Sequence, residues 1–480
     1  MKHFLLRFPR TYGVVRLIFR FVLGLNSAWI WSILISLPTS ALNKICAVVV
    51  ALPIRADATR CVRLLSLQLA ANDPQAVGIG KRANGRQVVM LVLSDLRIDP
   101  RVEREARSLA KAGYVVTVIC PEPFDGAANL IQLEWGPNVG VKFIDRAAAE
   151  FASYRPGYAA DIFYSEAVKY RPFAFHAHDL NVAYAALGAA RETGSHLIVD
   201  FHEWFSENVY WSEWLSRWVP YPAAWKSDLQ RLESRCLLDA SATITVCDSI
   251  ADAMVNELGG ARPHVIRNIP ASTITGTREY LPLKQELQLP DSCFLLLWQG
   301  GTGPTRLIEP IIEALAYAPR CVFVIRGPSL DLFGEAYKTL ARRIGAEDRL
   351  ILLAPVPSRD VVAAARGADA GIWTLPALCR NFTYALPNKI FEYMAAGLPI
   401  LAAHYPEAKR LVADNNIGIT FDPNDPKSIA SAINLVAEDR SLSTRFRRNV
   451  EIALNKISTE DEWQKLVRIY DNLPRTAAPN

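Results

Sequence analysis

From residue 87 onward the chain alternates short, unbroken apolar runs with longer stretches of helical spacing. The first run, 88–93 (VVMLVL), has strand length and no polar interruption, as a parallel strand buried on both faces requires. Asp99-Pro100 then opens a helix, with the aspartate as its cap and proline at the first helical position. Over 101–111, Val102, Ala106, Leu109 and Ala110 share one face, and Gly113 ends the helix. The run 115–120 (VVTVIC) supplies the next strand and completes a β-α-β unit. Strands at 173–176, 197–200, 242–247 and 264–267 follow, with a helix over 181–192. A stretch rich in Thr, Pro and Lys, 269–290, breaks this rhythm as an interdomain linker would. The alternation restarts with runs at 294–298, 322–325, 350–353, 370–373 and 400–402.

This pattern predicts an α/β protein with two Rossmann-like domains, 86–275 and 291–455, facing a central cleft. An amphipathic helix over 459–475, carrying Trp463, Leu466, Ile469 and Tyr470, is placed to pack back on the first domain. Ligands are expected in the cleft, outside the carboxyl ends of the strands.

The first 82 residues differ from the rest. They hold eleven Lys and Arg against Asp57 and Asp73, a net charge of +9 in a chain whose total is +5. Within them 21–37 carries no charge, Pro38 interrupts it, and a second apolar run covers 45–54. The first run is marginal for a spanning helix and the second too short. Trp29 and Trp31 with basic flanks suit an apolar helical segment lying among lipid headgroups, or a re-entrant hairpin. Helices packed on the body are the alternative. With 51% hydrophobic and 21% charged residues, disordered and collagen-like classes are excluded. The eight cysteines form no CxxC pair, which argues against a zinc ribbon or a disulfide framework. A nucleic-acid partner is not expected.

Residues 381–403 (NFTYALPNKIFEYMAAGLPILAA) carry the clearest chemistry. Pro387 precedes a helix starting near Asn388, whose free N–H groups and dipole favour an anion such as a diphosphate. Lys389 lies in its first turn, and Glu392, one turn on, suits a pair of ribose hydroxyls. A solvated Lys–Glu face on an ordinary helix is the plain alternative. The glycine-rich turn Gly300-Gly301-Thr302-Gly303 follows a strand, where backbone amides can approach a phosphate. Arg306 lies just beyond it, and Arg326 ends the next strand, where a structural role is favoured over a further phosphate contact. In the first half, His202 sits just past a strand end, and His176, His178 and Asp179 end the preceding one. A zinc site from these four is conceivable. Five tryptophans fall within 204–225, and Trp211, Trp214 and Trp218 share a face if that segment is helical.

The 381–403 stretch, followed by Pro406-Glu407, resembles the donor-binding motif of the family 4 glycosyltransferases, which are retaining enzymes of the GT-B fold. The resemblance extends over most of 87–475 and includes SDLRIDPRVEREARSLAKAGYVVTVI, FHAHDLNVAYAALGAA, VDFHEWFSE, TITVCDSIADAM and HVIRNIP. It implies glycosyl transfer from a nucleotide-diphosphate sugar, with no metal and no cofactor beyond that donor. It further implies that Glu392 holds the donor ribose and that His202 lies beside the transferred sugar and acceptor. There His202 would hydrogen-bond the donor sugar or help deprotonate the acceptor. Arg306 and Lys389 would neutralise the leaving diphosphate. Tyr384 stands where relatives usually carry a second glutamate. The first loop, 94–99, lacks the glycine pair many relatives have. With the N-terminal segment, the expected acceptor is lipid-linked or part of a surface polysaccharide, at the cytoplasmic face of the cell membrane. A sugar-nucleotide epimerase and a non-catalytic nucleotide-sugar-binding relative remain open alternatives.

Overall fold

The computed structural model describes residues 84–474, except 97–98, 124–134, 147–158, 213–214, 216, 270–278 and 458. The membrane-associating segment expected over 1–82 lies outside the described residues. Among the described residues, no helix is long and apolar enough to cross a membrane.

The first domain is a seven-stranded parallel sheet. Its elements are β1 (Asn84–Val92), α1 (Pro100–Lys111), β2 (Val115–Pro121), β3 (Val139–Ile144), α2 (Ala159–Ala167), β4 (Pro172–His178), α3 (Leu180–Thr193) and β5 (His196–Phe201). A two-stranded antiparallel hairpin follows, β6 (Val209–Ser212) and β7 (Arg217–Pro220). Then come α4 (Ala223–Asp239), β8 (Ala242–Thr245), α5 (Asp248–Leu258) and β9 (His264–Val265). The sheet order is β3-β2-β1-β4-β5-β8-β9. All seven residues of β4 are buried, His176 and His178 among them, so the central strand carries polar groups into the core.

The second domain holds α6 (Leu283–Glu286), β10 (Phe294–Gln299), α7 (Glu309–Ala314), β11 (Cys321–Arg326), α8 (Leu330–Arg343), β12 (Leu350–Leu353), α9 (Val361–Ala365) and β13 (Ala370–Trp373). It continues through α10 (Arg380–Tyr384), α11 (Asn388–Ala395), β14 (Ile400–Ala403), α12 (Pro406–Asn415), β15 (Gly418–Phe421), α13 (Pro426–Glu438) and α14 (Arg440–Lys456). Its six parallel strands run β12-β11-β10-β13-β14-β15. Strand order reverses between β1 and β4 in one domain and between β10 and β13 in the other, and each reversal opens a crevice at the strands' carboxyl ends.

The last helix, α15 (Thr459–Asp471), lies on the first domain. Trp463, Leu466, Ile469 and Tyr470 share one core cluster with Val102, Ala106 and Leu109 of α1 and with residues of β1 and β2. Asp99 caps α1 as its position before Pro100 dictates, accepting from the N–H of Val102 at 3.3 Å while Ser94 donates to it at 2.7 Å.

Trp211 and Trp218 do not lie on a helix. Trp211 and Trp218 sit opposite one another across the β6–β7 hairpin, ring centroids 5.8 Å apart. Both lie seven residues apart in sequence, a spacing that suits two helical turns, but a tight turn between two β-prone aromatic runs satisfies it equally. Trp214 lies outside the described residues.

Candidate active site

On the first domain the strand ends converge on His202. Asp179, just past β4, adopts φ 68°, an uncommon conformation for a residue with a side chain. It is fixed there from two sides: its own N–H donates to the Asp200 carbonyl at 2.8 Å, and its Oδ1 accepts from the His202 N–H at 2.9 Å. The imidazole then lies between two carboxylates, with Nδ1 3.4 Å from Asp179 and Nε2 3.1 Å from Asp200. Behind Asp200, Arg101 makes a bidentate contact at 2.6 and 2.8 Å and lies 3.1 Å from Glu105.

This geometry settles the charges. Burial alone would raise the Asp200 pKa, but Arg101 and His202 outweigh it and hold the carboxyl well below the usual range. Burial and the adjoining Asp200 push the Glu105 carboxyl the other way, well above the usual range. For His202 burial lowers the pKa, yet Asp179 and Asp200 prevail and lift it to about 10. The two carboxylates therefore favour the imidazolium form of His202, with Nδ1 facing Asp179 and Nε2 facing Asp200. In that state it carries positive charge and both ring nitrogens are donors.

Among the described residues, Glu105, His176, His178 and Asp200 bring one donor atom each to within 4.8 Å of one another. This set differs from the one the sequence suggested, since Asp179 and His202 fall outside it. Arg101 already contacts both carboxylates and supplies the positive charge that a cation would bring. His176 is engaged by the Tyr470 hydroxyl at 2.8 Å, and burial pushes its pKa down to about 4.

On the second domain, β10 delivers the chain into Gly300, at φ +122°. A Cβ there would lie 2.4 Å from Cε and 2.9 Å from Nζ of Lys389, so the glycine makes room for that lysine. Lys389, in the first turn of α11, places its ammonium over the Trp298 ring, 5.3 Å from the centroid. Arg306 folds back over Gly301, its Nε 3.3 Å from where a Cβ would stand. Burial and Arg306 together lower the Lys389 pKa to about 8, and burial lowers that of Arg306. Neither cation forms an ion pair among the described residues. Asn388 begins α11, and Glu392, one turn on, faces Lys389 and Arg104 of α1 electrostatically; burial pushes its carboxyl up.

The cleft thus brings together His202, Gly301, Arg306, Asn388, Lys389 and Glu392. It does not bring Arg326 or Tyr384 into that group. The Arg326 guanidinium is buried beneath α9, donating to the Ala364 carbonyl at 2.5 Å and to Gln299, with Glu286 at 3.5 Å. Tyr384 faces the seam between the domains, its ring 6.3 Å from Trp204 and its carbonyl accepting from Cys247. The same seam is tied by Asn381 to the Trp204 N–H at 2.9 Å, by Glu407 to the Ser249 N–H at 2.7 Å, and by Arg380 to Glu257. Sequence reasoning missed Asp200, Glu105 and Arg104. Their signal is present: Arg101, Val102, Glu105, Ala106 and Leu109 form one buried stripe of α1, and charges inside an apolar stripe require partners.

Two facing Rossmann-like domains, with a cationic helix end in one and a buried histidine cluster in the other, define the class of fold, and similarity to known proteins gives the family. Residues 98–270 match the Glycosyl transferase 4-like domain and residues 284–452 match Glycosyl transferases group 1. The chain belongs to the family 4 glycosyltransferases of the GT-B fold. It is similar to the D-inositol 3-phosphate glycosyltransferase of Corynebacterium efficiens, 30% identical over 162 residues, which are 33% of this chain and 37% of that one. The Corynebacterium urealyticum protein of that name is 23% identical over 60% of this chain and 75% of its own. The first of these matches therefore spans little more than a third of its relative's length. Among solved structures, a glycosyltransferase from Rickettsia africae superposes with a TM-score of 0.62 at 13% identity, covering 82% of this chain and 100% of that one. Anabaena HepE in complex with UDP-glucose gives 0.60 at 18% identity, covering 81% and 100%. At these identities the structures establish the fold.

Proposed function

We propose that the protein transfers a glycosyl group from a nucleoside-diphosphate sugar to a hydroxyl of a lipid-linked or surface-polysaccharide acceptor, with retention of anomeric configuration, at the cytoplasmic face of the membrane. The observation that carries the donor half is the pair Arg306 and Lys389: two desolvated cations side by side, neither in a salt bridge among the described residues, with Lys389 in the first turn of α11. Such a pair is costly until an anion arrives, and a diphosphate supplies the matching charge. As the glycosidic bond breaks, negative charge develops on the leaving phosphate, and these cations stabilise it there. Glu392 accepts from the ribose hydroxyls. The His202 imidazolium, whose ring nitrogens already face Asp179 and Asp200, places positive charge beside the transferred sugar. No metal or further cofactor enters this scheme. The basic, apolar first 82 residues support a membrane-held acceptor.

The test is a thermal-shift and calorimetric panel of UDP, GDP and ADP with their glucose derivatives, followed by product analysis. One nucleotide family should stabilise the protein, and Glu392→Ala should abolish the shift. Nuclear magnetic resonance of the product then reads the anomeric configuration. Incubation with membrane lipid extract and, separately, with D-inositol 3-phosphate distinguishes a lipid-linked acceptor from a soluble one. A wild-type protein that binds no nucleotide would sink the proposal. A nucleotide sugar converted without release of nucleoside diphosphate would identify an epimerase instead.

A further inference from the structure

The donor reading leaves one carboxylate in the cleft without a task. Glu203 follows His202 directly, between the fully buried side chains of Phe201 and Trp204, yet its own side chain is open to the cleft. Its Oε2 accepts from Nδ2 of Asn208 at 2.6 Å, which fixes the carboxylate in place. No other hydrogen bond or ion pair engages it among the described residues. On one side it acts electrostatically on the charged His202, and across the cleft on Arg306 of the opposite domain. Glu203 is thus the neighbour of His202 in sequence and lies within electrostatic reach of Arg306, the cation that would receive the donor phosphate. Tyr384, at the position where relatives usually carry a second glutamate, is turned into the seam against Trp204 and Arg380.

An oriented, partly unsatisfied carboxylate at such a place has chemistry suited to a polyol. It accepts from a hydroxyl in a charge-assisted bond, and a site built to hold a hydroxyl discriminates strongly against an analogue lacking it. We propose that Glu203 accepts a hydrogen bond from a hydroxyl of the transferred sugar and is a determinant of which donor sugar is used. This rests on the donor reading of the Arg306–Lys389 site.

The experiment separates the two. Full-length wild type, Glu203→Gln and Glu203→Ala are titrated with UDP and with UDP-glucose, or with the equivalent pair that the panel selects, and turnover is measured alongside. Glu203 lies on the open cleft wall, so both variants should fold with unchanged melting temperature. The expected result is nucleoside-diphosphate affinity within about two-fold of wild type, together with a loss of about ten-fold or more in nucleotide-sugar affinity or in kcat/KM. Among deoxy analogues of the donor, one should bind wild type and Glu203→Ala alike, naming the hydroxyl concerned. Tighter binding of UDP and UDP-glucose by the same factor would overturn the proposal, since Glu203 would then only balance the charge of Arg306. Unchanged turnover and sugar affinity in Glu203→Ala would overturn it as well. Absence of UDP binding by wild type itself would instead remove the donor reading on which it stands.

Discussion

Nε2 of His202 lies 3.1 Å from Oδ2 of Asp200, and Arg101 grips the same carboxylate from behind with bonds of 2.6 and 2.8 Å. The cleft histidine is therefore not an isolated side chain but the outer end of a buried chain of charges. Removing the middle of that chain is the severe change. Asp200→Asn would take from the buried Arg101 its bidentate partner, leaving the Glu105 contact at 3.1 Å, and a loss of about 3–5 kcal/mol is expected from chemical denaturation. Asp179→Asn is milder. It preserves the 2.9 Å cap on the His202 N–H and an uncommon φ that asparagine tolerates, while deleting one of the two anions.

The consequence is readable in the pH dependence. His202 has its pKa raised in the folded protein, to about 10 against an unfolded value near 6.5. Its contribution to stability is thus fully present below about pH 6.5 and fades as pH climbs toward 10. Wild type should lose more stability across that window than Asp179→Asn, whose histidine titrates at lower pH. Ring-nitrogen chemical shifts of His202 followed from pH 6 to 10 provide the check, and coincident titration curves for the two proteins would contradict it.

Lys389 presents the opposite sign. Burial and the neighbouring Arg306 depress its pKa to about 8, so below that pH the folded protein bears an ammonium it holds at a cost. Lys389→Met should therefore stabilise the free protein at pH 7 by roughly 1–2 kcal/mol, after allowance for solvent screening. The same change should weaken nucleoside-diphosphate binding by about a hundred-fold, the loss of one charge-assisted contact. Because a bound diphosphate restores the lysine's preference for its proton, binding near pH 8 to 9 should be accompanied by proton uptake. Calorimetry in buffers of different ionisation enthalpy measures that uptake, and Lys389→Met should show less of it.

Gly300→Ala tests how the turn after β10 makes room for that lysine. The added methyl would stand 2.4 Å from Cε and 2.9 Å from Nζ of Lys389, in a backbone conformation of φ +122°. The lysine's end can swing aside, but the backbone strain remains at about 1–3 kcal/mol. The expected outcome is a lower melting temperature combined with a donor affinity reduced by about ten-fold. Gly301→Ala, at a negative φ and against the mobile Nε of Arg306, should cost less stability.

Much of this was legible in the chain, and the exceptions have physical causes. Continuous apolar runs announced β1, β2 and β10, as strands buried on both faces require, while β4 and β5 hold the buried His176, His178 and Asp200 within otherwise apolar runs. β3 (VGVKFI) and β15 (GITF) lie at sheet edges, where partial burial dilutes the apolar pattern, and neither stood out. The Trp211–Trp218 hairpin was misread because aromatic spacing alone does not distinguish two periods. Lys389, Asn388 and Glu392 share one helix, so local spacing groups them. Arg326 ends a strand as a phosphate contact would, yet its direction is decided by the Ala364 carbonyl 38 residues away. Asp200 and Arg101 meet across 99 residues, and only the sheet brings them together.

The contact of Tyr470 with His176 gives the last helix a role in the site as well as in the core. The phenol hydroxyl lies 2.8 Å from Nδ1 of a fully buried imidazole, on a strand whose next histidine, His178, reaches His202 at 3.3 Å. Tyr470→Phe keeps the ring that packs against Tyr114 and removes only the oxygen. With His176 Nδ1 left unsatisfied in the core, the loss should be about 1–3 kcal/mol. If α15 acts only as a lid on the apolar core, Tyr470→Phe should lower stability and leave the His202 titration where it is. If the buried chain transmits to the cleft, kcat should fall while donor binding holds, and the His202 titration should move. Leu466→Ala, a cavity in the same helix without a polar contact, is the control: a comparable loss of stability with kcat unchanged is the expected result, and a kcat effect equal to that of Tyr470→Phe would assign both to packing.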